Sequence, residues 1–394
     1  MFRWAWIAFV AFVACVPLAS VTSAAIIVTG NVDPANPTTW TLSTPGFIGK
    51  TIDGTMDITA GSDVTSNYGY IGYDSGLTGK VTVNGSGSTW TNSSSLYVGI
   101  YGNGTLAITK SGYVSNSQGL IGYYTGSTSM VIVDGLGSAW ASISNLHVGS
   151  YGEGTLKILN GGLVSSGEGR IGEFATSSTG TGKIIVEGIG SSYINSRDIF
   201  AGLSGTGTLE ISSSGYVSNR YGYIGRYSGS TGDVSVDGAN STWENSSELF
   251  VGHDGTGTLN ITNGGLVSNS VGYIGYGTNS IGIVTIDGDG SKWANSDDLH
   301  VRNGTLVITN GGSVSSEDCY ISSFASSTDE VTVNGSGSTL VNSGILYVGA
   351  YVGDSDNNTS MLITDGGLVS GKGGRIGIGI GEAGALVPMR WTGS

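Results

Sequence analysis

The three histidines are the first residues to test for metal or acid–base chemistry. They are His147, His253 and His300, and no two of them stand at the short spacing that a metal-binding pair requires. His147 and His300 instead occupy equivalent positions in two copies of a repeated segment. The histidines therefore predict no metal site and no catalytic base.

Aspartate, glutamate or asparagine recurs at one position of the turns, and the spacing of those turns determines whether these side chains could share a cation. Members of this series lie in every second repeated segment, roughly 10 Å apart if the segments stack as strands. One cation cannot bridge that gap when each ligand lies about 2.4 Å from it. The series therefore predicts no bound metal or other cofactor, and it comprises Asn84, Asp134, Glu187, Asp237, Asp287 and Asn334.

A denser group of acidic residues precedes one recurrent strand. Paired carboxylates of this kind can act as general acid and base on a polysaccharide. A solvated turn is the simpler interpretation, so no catalytic residue is predicted. The group comprises Asp198, Glu248, Asp297, Asp298, Glu317 and Asp318, with Lys292 and Arg302 nearby.

Cys319 could act as a nucleophile, but its place in the repeat indicates a packing role. Other copies of the segment carry glycine at this position, namely Gly69, Gly119, Gly169, Gly222 and Gly272. We therefore predict a small, packed residue. If the N-terminal leader described below is removed, Cys319 is the remaining cysteine, and no internal disulfide can form.

The sequence segments that contain these residues repeat with a period of about fifty residues. Tryptophan marks the period, and Tyr193 and Leu340 fill the two gaps in the series of Trp40, Trp90, Trp140, Trp243 and Trp293. A second series of segments, such as TLAITKSGYV from residue 105, alternates with the tryptophan segments. The structural unit is therefore a half-repeat of about 25 residues.

Each half-repeat carries the signals of short strands. Apolar residues lie two apart, as in Val81 and Val83 around Thr82, and turn pairs such as Asn84-Gly85 separate the runs. This pattern predicts an all-β fold: a right-handed parallel β-helix, or solenoid, over residues 26–380, with about 14 coils and two coils per repeat. A β-propeller is the competing interpretation, and the half-repeat favours the solenoid.

Alignment of the half-repeats predicts the core. Tryptophan in one coil should stack over valine in the next coil, as in Trp90 and Val114. At a second inward position, leucine or isoleucine should alternate with the glycines that align with Cys319. Large and small residues that alternate between coils fill a core densely.

One outward position of the last strand in each coil carries aromatic and planar cationic side chains. Strand alternation predicts that they form an exposed stripe with one member every ~4.8 Å. The stripe is either a stacking ladder between strands or a contact surface for glycans or protein partners. Its predicted contact residues are Tyr70, Tyr97, His147, Arg170, Phe200, Tyr223, Phe250, Tyr273, His300, Tyr320 and Tyr347; Phe47, Leu120 and Arg375 occupy the same position.

The amino-acid composition limits the classes of partner that we expect this protein to bind. Glycine accounts for 70 of 394 residues, charged residues for 11%, and the net charge is -14. A typical soluble domain has about 25% charged residues, so this surface is built from serine, threonine, asparagine and glycine. With only 15 basic residues in the chain, we expect no nucleic-acid partner.

The N-terminus resembles an export signal. Arg3 precedes an apolar run from Trp4 to Ala14, and small residues follow up to Ala25. Residues 1–25 are therefore predicted to be a secretory signal peptide, cut near Ala24 or Ala25, and no transmembrane segment is predicted in the mature chain. A single-pass anchor and lipoprotein cleavage before Cys15 are the alternatives.

The repeat unit resembles that of a known family. GKVTVNGSGSTW, LYVG, GNGTLAIT and NGGLVS are similar to the autotransporter (type V secretion) and PEP-CTERM-associated repeats of secreted bacterial proteins. The resemblance implies an extracellular or cell-surface β-helix of a Gram-negative-type bacterium and brings no catalytic residues. The chain departs from it at residues 381–394, a short tail that starts like a sorting signal at Ala385 and then diverges.

These observations predict an exported, non-enzymatic protein that acts as a structural or adhesive element at the cell surface or outside the cell. Glycans, the cell envelope or matrix components are the expected partners. The alternative is a β-helix enzyme that acts on polysaccharides. The last coil is also expected to leave an open sheet edge after residue 380, which would permit end-to-end self-association.

Overall fold

A computed structural model describes residues 25–174, 180–321, 328–349, 358–376 and 387–392. Residues 1–24 of the predicted signal peptide and most of the predicted tail lie outside the described residues. Strands stack in parallel coils to form a β-solenoid, which confirms the predicted fold. No α-helix occurs in the described ranges, and the single short helical turn there is a 3-10 turn at Pro37–Thr39.

Each coil has three strands, which we assign to faces A, B and C in chain order. Equivalent strands of consecutive coils pair in parallel and in register. The strands of face A are Gly54–Thr59, Thr78–Asn84, Asn103–Thr109, Thr128–Asp134, Glu153–Leu159, Thr181–Glu187, Thr206–Ser212, Thr231–Asp237, Thr256–Thr262, Ile281–Asp287, Gly304–Thr309, Thr328–Asn334 and Asn358–Thr364.

Faces B and C form one continuous hydrogen-bonded sheet. The strands of face B are Asp63–Ser66, Thr89–Asn92, Tyr113–Asn116, Ala139–Ser142, Leu163–Ser166, Ser192–Asn195, Tyr216–Asn219, Thr242–Asn245, Leu266–Asn269, Lys292–Asn295, Ser313–Ser316 and Thr339–Asn342. The strands of face C are Gly46–Ile48, Gly69–Ile71, Ser95–Val98, Gln118–Ile121, Asn145–Val148, Glu168–Ile171, Ile199–Ala201, Gly222–Ile224, Leu249–Val251, Gly272–Ile274, Leu299–Val301, Cys319–Ile321 and Ile345–Val348.

The solenoid has about 12 turns, slightly fewer than the 14 coils predicted. Two irregular ends account for the difference. Near Trp40 the chain forms the 3-10 turn instead of strands, and at the other end the B and C strands merge into Leu368–Ile376. Sequence similarity at the ends therefore overestimated the number of regular coils.

The G-x-G-S segment of the repeat forms the turn between faces A and B. In one copy, Gly135 and Gly137 have φ values of 90° and 82°, a region where a side chain is strained. Ser138 follows and is fully buried. Its hydroxyl donates to the carbonyl of Asp134 at 2.7 Å and accepts from the backbone N–H of Ser111 in the preceding coil at 3.1 Å. This serine therefore joins the turns of neighbouring coils.

The predicted core stacking is confirmed. Val114 pairs with Trp90 on one side and with Trp140 on the other. All three side chains are at most 1% exposed. Large and small side chains thus alternate along face B, as the half-repeat alignment predicted.

The glycine positions on face C are small because the next coil fills the space beside them. A Cβ atom on Gly119 would lie 2.7 Å from Cζ2 of Trp140 and 2.8 Å from Cδ1 of Leu146. Cys319 precedes the coil in which Leu340 replaces tryptophan. Its side chain is fully buried, and burial raises the pKa of its thiol to about 12, which supports the predicted packing role.

A buried ladder of asparagine and serine, which the sequence patterns above did not predict, runs along the end of face B. The indole N–H of Trp140 donates to Oδ1 of Asn116 at 2.6 Å, and that of Trp243 donates to Asn219 at 2.7 Å. A buried tryptophan needs such an acceptor, because an unpaired N–H is costly. The ladder comprises Ser66, Asn92, Asn116, Ser142, Ser166, Asn195, Asn219, Asn245, Asn269, Asn295, Ser316 and Asn342.

Antiparallel strands cover parts of both ends. At the N-terminal end, Ala25–Gly30 pairs with Gly54–Thr59, and Val32–Asp33 pairs with Gly46–Ile48. At the other end, Val387–Thr392 pairs antiparallel with Leu368–Ile376. The expectation of an uncapped edge after residue 380 is therefore wrong for face B, where Leu368 to Gly371 are paired, whereas on face C only Gly374 has a partner in this strand. A strand that reverses direction there takes up the hydrogen-bonding groups that another copy would need.

Candidate functional site

The stripe residues occupy the middle position of the face C strands, between two inward-facing residues. Tyr70, for example, lies between Gly69 and Ile71, which are both buried, and its own side chain is half-buried. Each stripe residue pairs in register with its equivalent in the next coil. Strand alternation therefore places one stripe side chain per coil along the whole face.

Most of the stripe consists of stacked rings. A continuous run extends from Phe200 to Tyr347, with centroids of successive rings 4.6–5.0 Å apart and planes within 11° of parallel. A shorter run joins Phe47, Tyr70 and Tyr97 at 4.7 and 5.3 Å. Offset stacking of this kind stabilises neighbouring strands.

Stacking reduces the part of each stripe residue that a partner can contact. The sequence predicted an exposed surface, but most of these residues are half-buried, and His147 and Phe250 are buried, with only 6% and 9% of each residue exposed. Within each run, the faces of the rings lie against one another. A partner therefore meets ring edges and tyrosine hydroxyls, and not the open ring faces on which a sugar ring would stack.

The stack is interrupted in the middle by a charged cluster. Nδ1 of His147 lies 2.6 Å from Oε2 of Glu173, and Nη1 of Arg170 donates to Oε1 of Glu173 at 2.7 Å. The Ser150 hydroxyl donates to Oε2 of the same carboxylate at 3.1 Å. Burial opposes ionisation of Glu173, yet the contacts with His147 and Arg170 hold its pKa below the usual value. The cluster thus replaces ring stacking with a buried ion network.

A second aromatic row, not predicted above, lies beside this interruption, four residues after the stripe position. The ring centroids of Tyr101 and Tyr124 are 4.6 Å apart and those of Tyr151 and Phe174 are 4.5 Å apart. Tyr124 and Tyr151 connect the two pairs at 6.2 Å. Tyr101 and Tyr124 are 44% and 37% exposed. The signal was present in the sequence, since these aromatics recur in consecutive half-repeats.

Arg226 and His253 lie beside the longer run of stacked rings, and His300 is part of it. Nη1 of Arg226 lies 2.7 Å from Nδ1 of His253, and its guanidinium stacks over Tyr223 at 5.0 Å. His300 is stacked between Tyr273 and Tyr320, with centroids 4.9 Å away on both sides. Burial, together with Arg302, lowers the pKa of His300 to about 4. The ring is therefore neutral at physiological pH.

The turn carboxylates hold adjacent coils together. Oδ1 of Asp237 accepts from Thr262 and from Asn263 at 2.6 Å each. Asp287 repeats the arrangement with Thr309 at 2.7 Å and Asn310 at 2.6 Å. Asn263 and Asn310 have positive φ values, so these bonds also hold a strained turn. A structural role accounts for this acidic series.

The denser acidic group lies where face B turns into face C. Oδ1 of Asp298 accepts from the backbone N–H of Asp318 at 3.1 Å, and Oδ1 of Asp318 accepts from that of Ile345 at 2.6 Å. Burial raises the pKa of Asp298, and the neighbouring carboxylates add to this effect. Each of these two carboxylates therefore caps the strand of the following coil.

A shallow furrow runs along the same corner over five coils. Its two adjoining depressions have volumes of about 280 and 290 Å³ and share Glu244 and Ser246. Serine and asparagine line most of it, with Arg220 and Glu244 as its charged residues. At the strand spacing of ~4.8 Å, five coils span roughly 19 Å. The furrow thus offers a row of neutral hydrogen-bonding groups along the solenoid axis.

Neither family models nor curated proteins match this chain. Across the described ranges, no group of three or more histidine, cysteine or acidic side chains is arranged to hold a metal ion. Within those same ranges, no helix is long and apolar enough to cross a membrane.

Proposed function

We propose that this protein is an exported, non-enzymatic β-solenoid that acts as a structural or adhesive element at the cell surface or outside the cell. The observation that carries the proposal is the stacked aromatic stripe on face C, which extends across most coils and includes tyrosines in both of its stacked runs. The leader-like residues 1–25 and the resemblance to autotransporter and PEP-CTERM-associated repeats support export.

Neutral glycans are the partner class that best fits this surface. Hydroxyls along the stripe and along the furrow can both donate and accept hydrogen bonds, as sugar hydroxyls do. The net charge of -14 disfavours polyanions, including acidic polysaccharides and nucleic acids. An extended peptide would gain little, because the backbone groups of neighbouring coils bond to one another.

Binding of the purified, full-length chain to neutral glycans, acidic glycans and bacterial cells tests the adhesive role. We expect Tyr223→Phe with Tyr273→Phe to weaken binding by roughly fivefold per hydroxyl, while phenylalanine retains the stack as Phe250 does. If only the corresponding alanine variants lose binding, the stripe is structural. If the wild-type chain binds no glycan and no cell, the adhesive role is rejected.

The furrow provides an independent arm of the same experiment. Ser246→Trp places a bulky ring where the two depressions meet. Ser86→Trp is the matched control, because Ser86 is an exposed turn serine between faces A and B, away from the furrow. Loss of binding in Ser246→Trp alone would assign the contact to the furrow. Equal binding by both variants would exclude the furrow.

Export is tested separately by following the full-length chain in a Gram-negative host. We expect the mature protein outside the cytoplasm, with an N-terminus near residue 25. An uncleaved chain retained in the cytoplasm would contradict the proposal, whatever the glycan panel shows.

The alternative is an enzyme that acts on polysaccharides, and the raised pKa of Asp298 beside Asp318 favours it. A carboxyl group whose pKa is raised can serve as a general acid. Incubation with a panel of polysaccharides should then release reducing ends or unsaturated products, and Asp298→Asn should abolish the release. Absence of depolymerisation across the panel would eliminate the enzyme.

A further inference from the structure

The row beside the charged cluster contains a tyrosine pair with unusual accessibility. Tyr101 and Tyr124 belong to consecutive coils, and their rings are 5° from parallel with centroids 4.6 Å apart. Both side chains are more than one-third exposed, at 44% and 37%. Two phenols are thus held in face-to-face contact where a solvent-borne reagent can reach them.

Other stacked tyrosine pairs of the described chain lack one of these properties. Tyr320 and Tyr347 are equally close, at 4.6 Å, but both are half-buried, and the Tyr320 hydroxyl donates to Asp318. The rings of Tyr70 and Tyr97 are 5.3 Å apart and tilted by 20°. Those of Tyr124 and Tyr151 are 6.2 Å apart. Among the tyrosines that the structure describes, the Tyr101–Tyr124 pair alone combines contact, parallel orientation and exposure of both rings.

We propose that Tyr101 and Tyr124 form an oxidative cross-linking site, in which a peroxidase and hydrogen peroxide join the two rings as dityrosine. Each phenol gives up one electron and one proton, which yields two phenoxyl radicals. The radicals couple through a new C–C bond between the ring carbons ortho to the oxygens. The two ring hydrogens at those carbons then move to the oxygens and restore both phenols. Hydrogen peroxide accepts the two electrons and two protons and becomes two molecules of water.

The fold favours coupling within one molecule. The in-register pairing of Asn103–Thr109 with Thr128–Asp134 and of Ser95–Val98 with Gln118–Ile121 holds the pair from both sides. The two radicals therefore need no diffusion to meet. The bond would join consecutive coils covalently in a chain whose one described cysteine, Cys319, is buried and free. This inference stands apart from the proposed function, because the pair has the same geometry wherever the protein resides.

The test is treatment of the purified, full-length chain with hydrogen peroxide and a haem peroxidase, followed by peptide mapping. We expect dityrosine fluorescence and one linked peptide that contains Tyr101 and Tyr124, with two hydrogen atoms fewer than the separate peptides. Tyr101→Phe and Tyr124→Phe should each remove at least nine-tenths of that signal. Tyr113→Phe is the control, since Tyr113 is 39% exposed and stacks on no ring within the described residues.

Three results would overturn the proposal: no dityrosine in the wild-type chain, a link between other tyrosines such as Tyr124 and Tyr151, or links only between separate molecules. Each variant should keep the far-ultraviolet circular dichroism of the wild-type chain, because phenylalanine preserves the stacking. A variant that loses the fold is replaced by nitration of the exposed tyrosines of the wild-type chain, after which molecules nitrated at Tyr101 or Tyr124 should lack the link and molecules nitrated only at Tyr113 should retain it.

Discussion

At Gly119, the absence of a side chain is dictated by a residue in the next coil. Trp140 and Leu146 occupy the space that a Cβ atom would need. The same position holds Cys319 where the next coil carries Leu340 in place of tryptophan. The two positions therefore change together, as expected of a core packed to crystal-like density.

Gly119→Cys should destabilise the protein by about 1–3 kcal/mol, because the new side chain clashes with Trp140. Trp140→Leu in the same chain should recover part of that loss by reproducing the arrangement at Cys319 and Leu340. Denaturant unfolding of both single variants and the double variant gives the coupling energy. Additive effects would contradict the coupling, and Cys319→Ala is the mild control.

His300 should make stability depend on pH over a defined window. Its pKa falls from 6.5 to about 4 on folding, so the unfolded chain binds a proton that the folded chain refuses between those values. The contribution of neutral His300 to the free energy of unfolding is therefore fully present above pH 6.5 and declines as the pH falls toward 4. We expect His300→Phe, which keeps the stack, to remove about 1–2 kcal/mol of this decline. Parallel pH profiles of unfolding for both chains would contradict the prediction.

The polar ladder of face B supplies the hydrogen-bond acceptors that allow tryptophan to lie in the core. Asn219 accepts from the Trp243 indole and donates to Asn245, both at 2.7 Å. Trp90 uses Ser66 as its acceptor instead, at 3.1 Å. Each of these tryptophans therefore bonds to one member of a hydrogen-bonded pair of ladder residues from consecutive B strands.

Asn219→Ala should cost about 1–3 kcal/mol, because it leaves the buried indole N–H of Trp243 without a partner. Asn219→Ser should cost less, since serine already serves Trp90. Trp243→Phe should be less harmful in the Asn219→Ala background than in the wild-type chain. Equal penalties in the two backgrounds, measured by denaturant unfolding, would show that the bond contributes nothing.

The stability of the molecule should depend more on the alternation of two coil types than on the number of coils. Each coil contacts only its neighbours, so stability is approximately a sum of coil and interface contributions. Removal of residues 206–255 deletes one coil of each type and restores a normal Tyr193–Val267 interface. Removal of residues 206–230 deletes one coil and places Trp243 against Tyr193.

The two deletions should therefore behave differently. We expect the chain without residues 206–255 to fold, with a thermal midpoint close to that of the wild-type chain. The chain without residues 206–230 should unfold at a clearly lower temperature or fail to fold, because two large side chains meet at the interface. Similar midpoints for both deletions, measured by circular dichroism, would contradict this account of the core.

Several properties of this protein follow from the sequence alone. The alternation around residues such as Val81 and Val83 determines the strands, and the spacing of Trp90 and Val114 determines which side chains stack inside. These predictions succeed because each coil repeats the same local pattern and parallel, in-register stacking transfers it to the neighbours. The function of the stripe was not determined in this way and stays a proposal.

The contacts between coils and the arrangement of the two ends depend on the folded chain and do not follow from the repeat pattern. The bond from Trp140 to Asn116, the pairing of Tyr101 with Tyr124 and the burial of His147 depend on side-chain orientations in different coils. The reversal of Val387–Thr392 departs from the repeat altogether. Periodicity describes what every coil shares, whereas these features arise where adjacent coils differ or where the repeat stops.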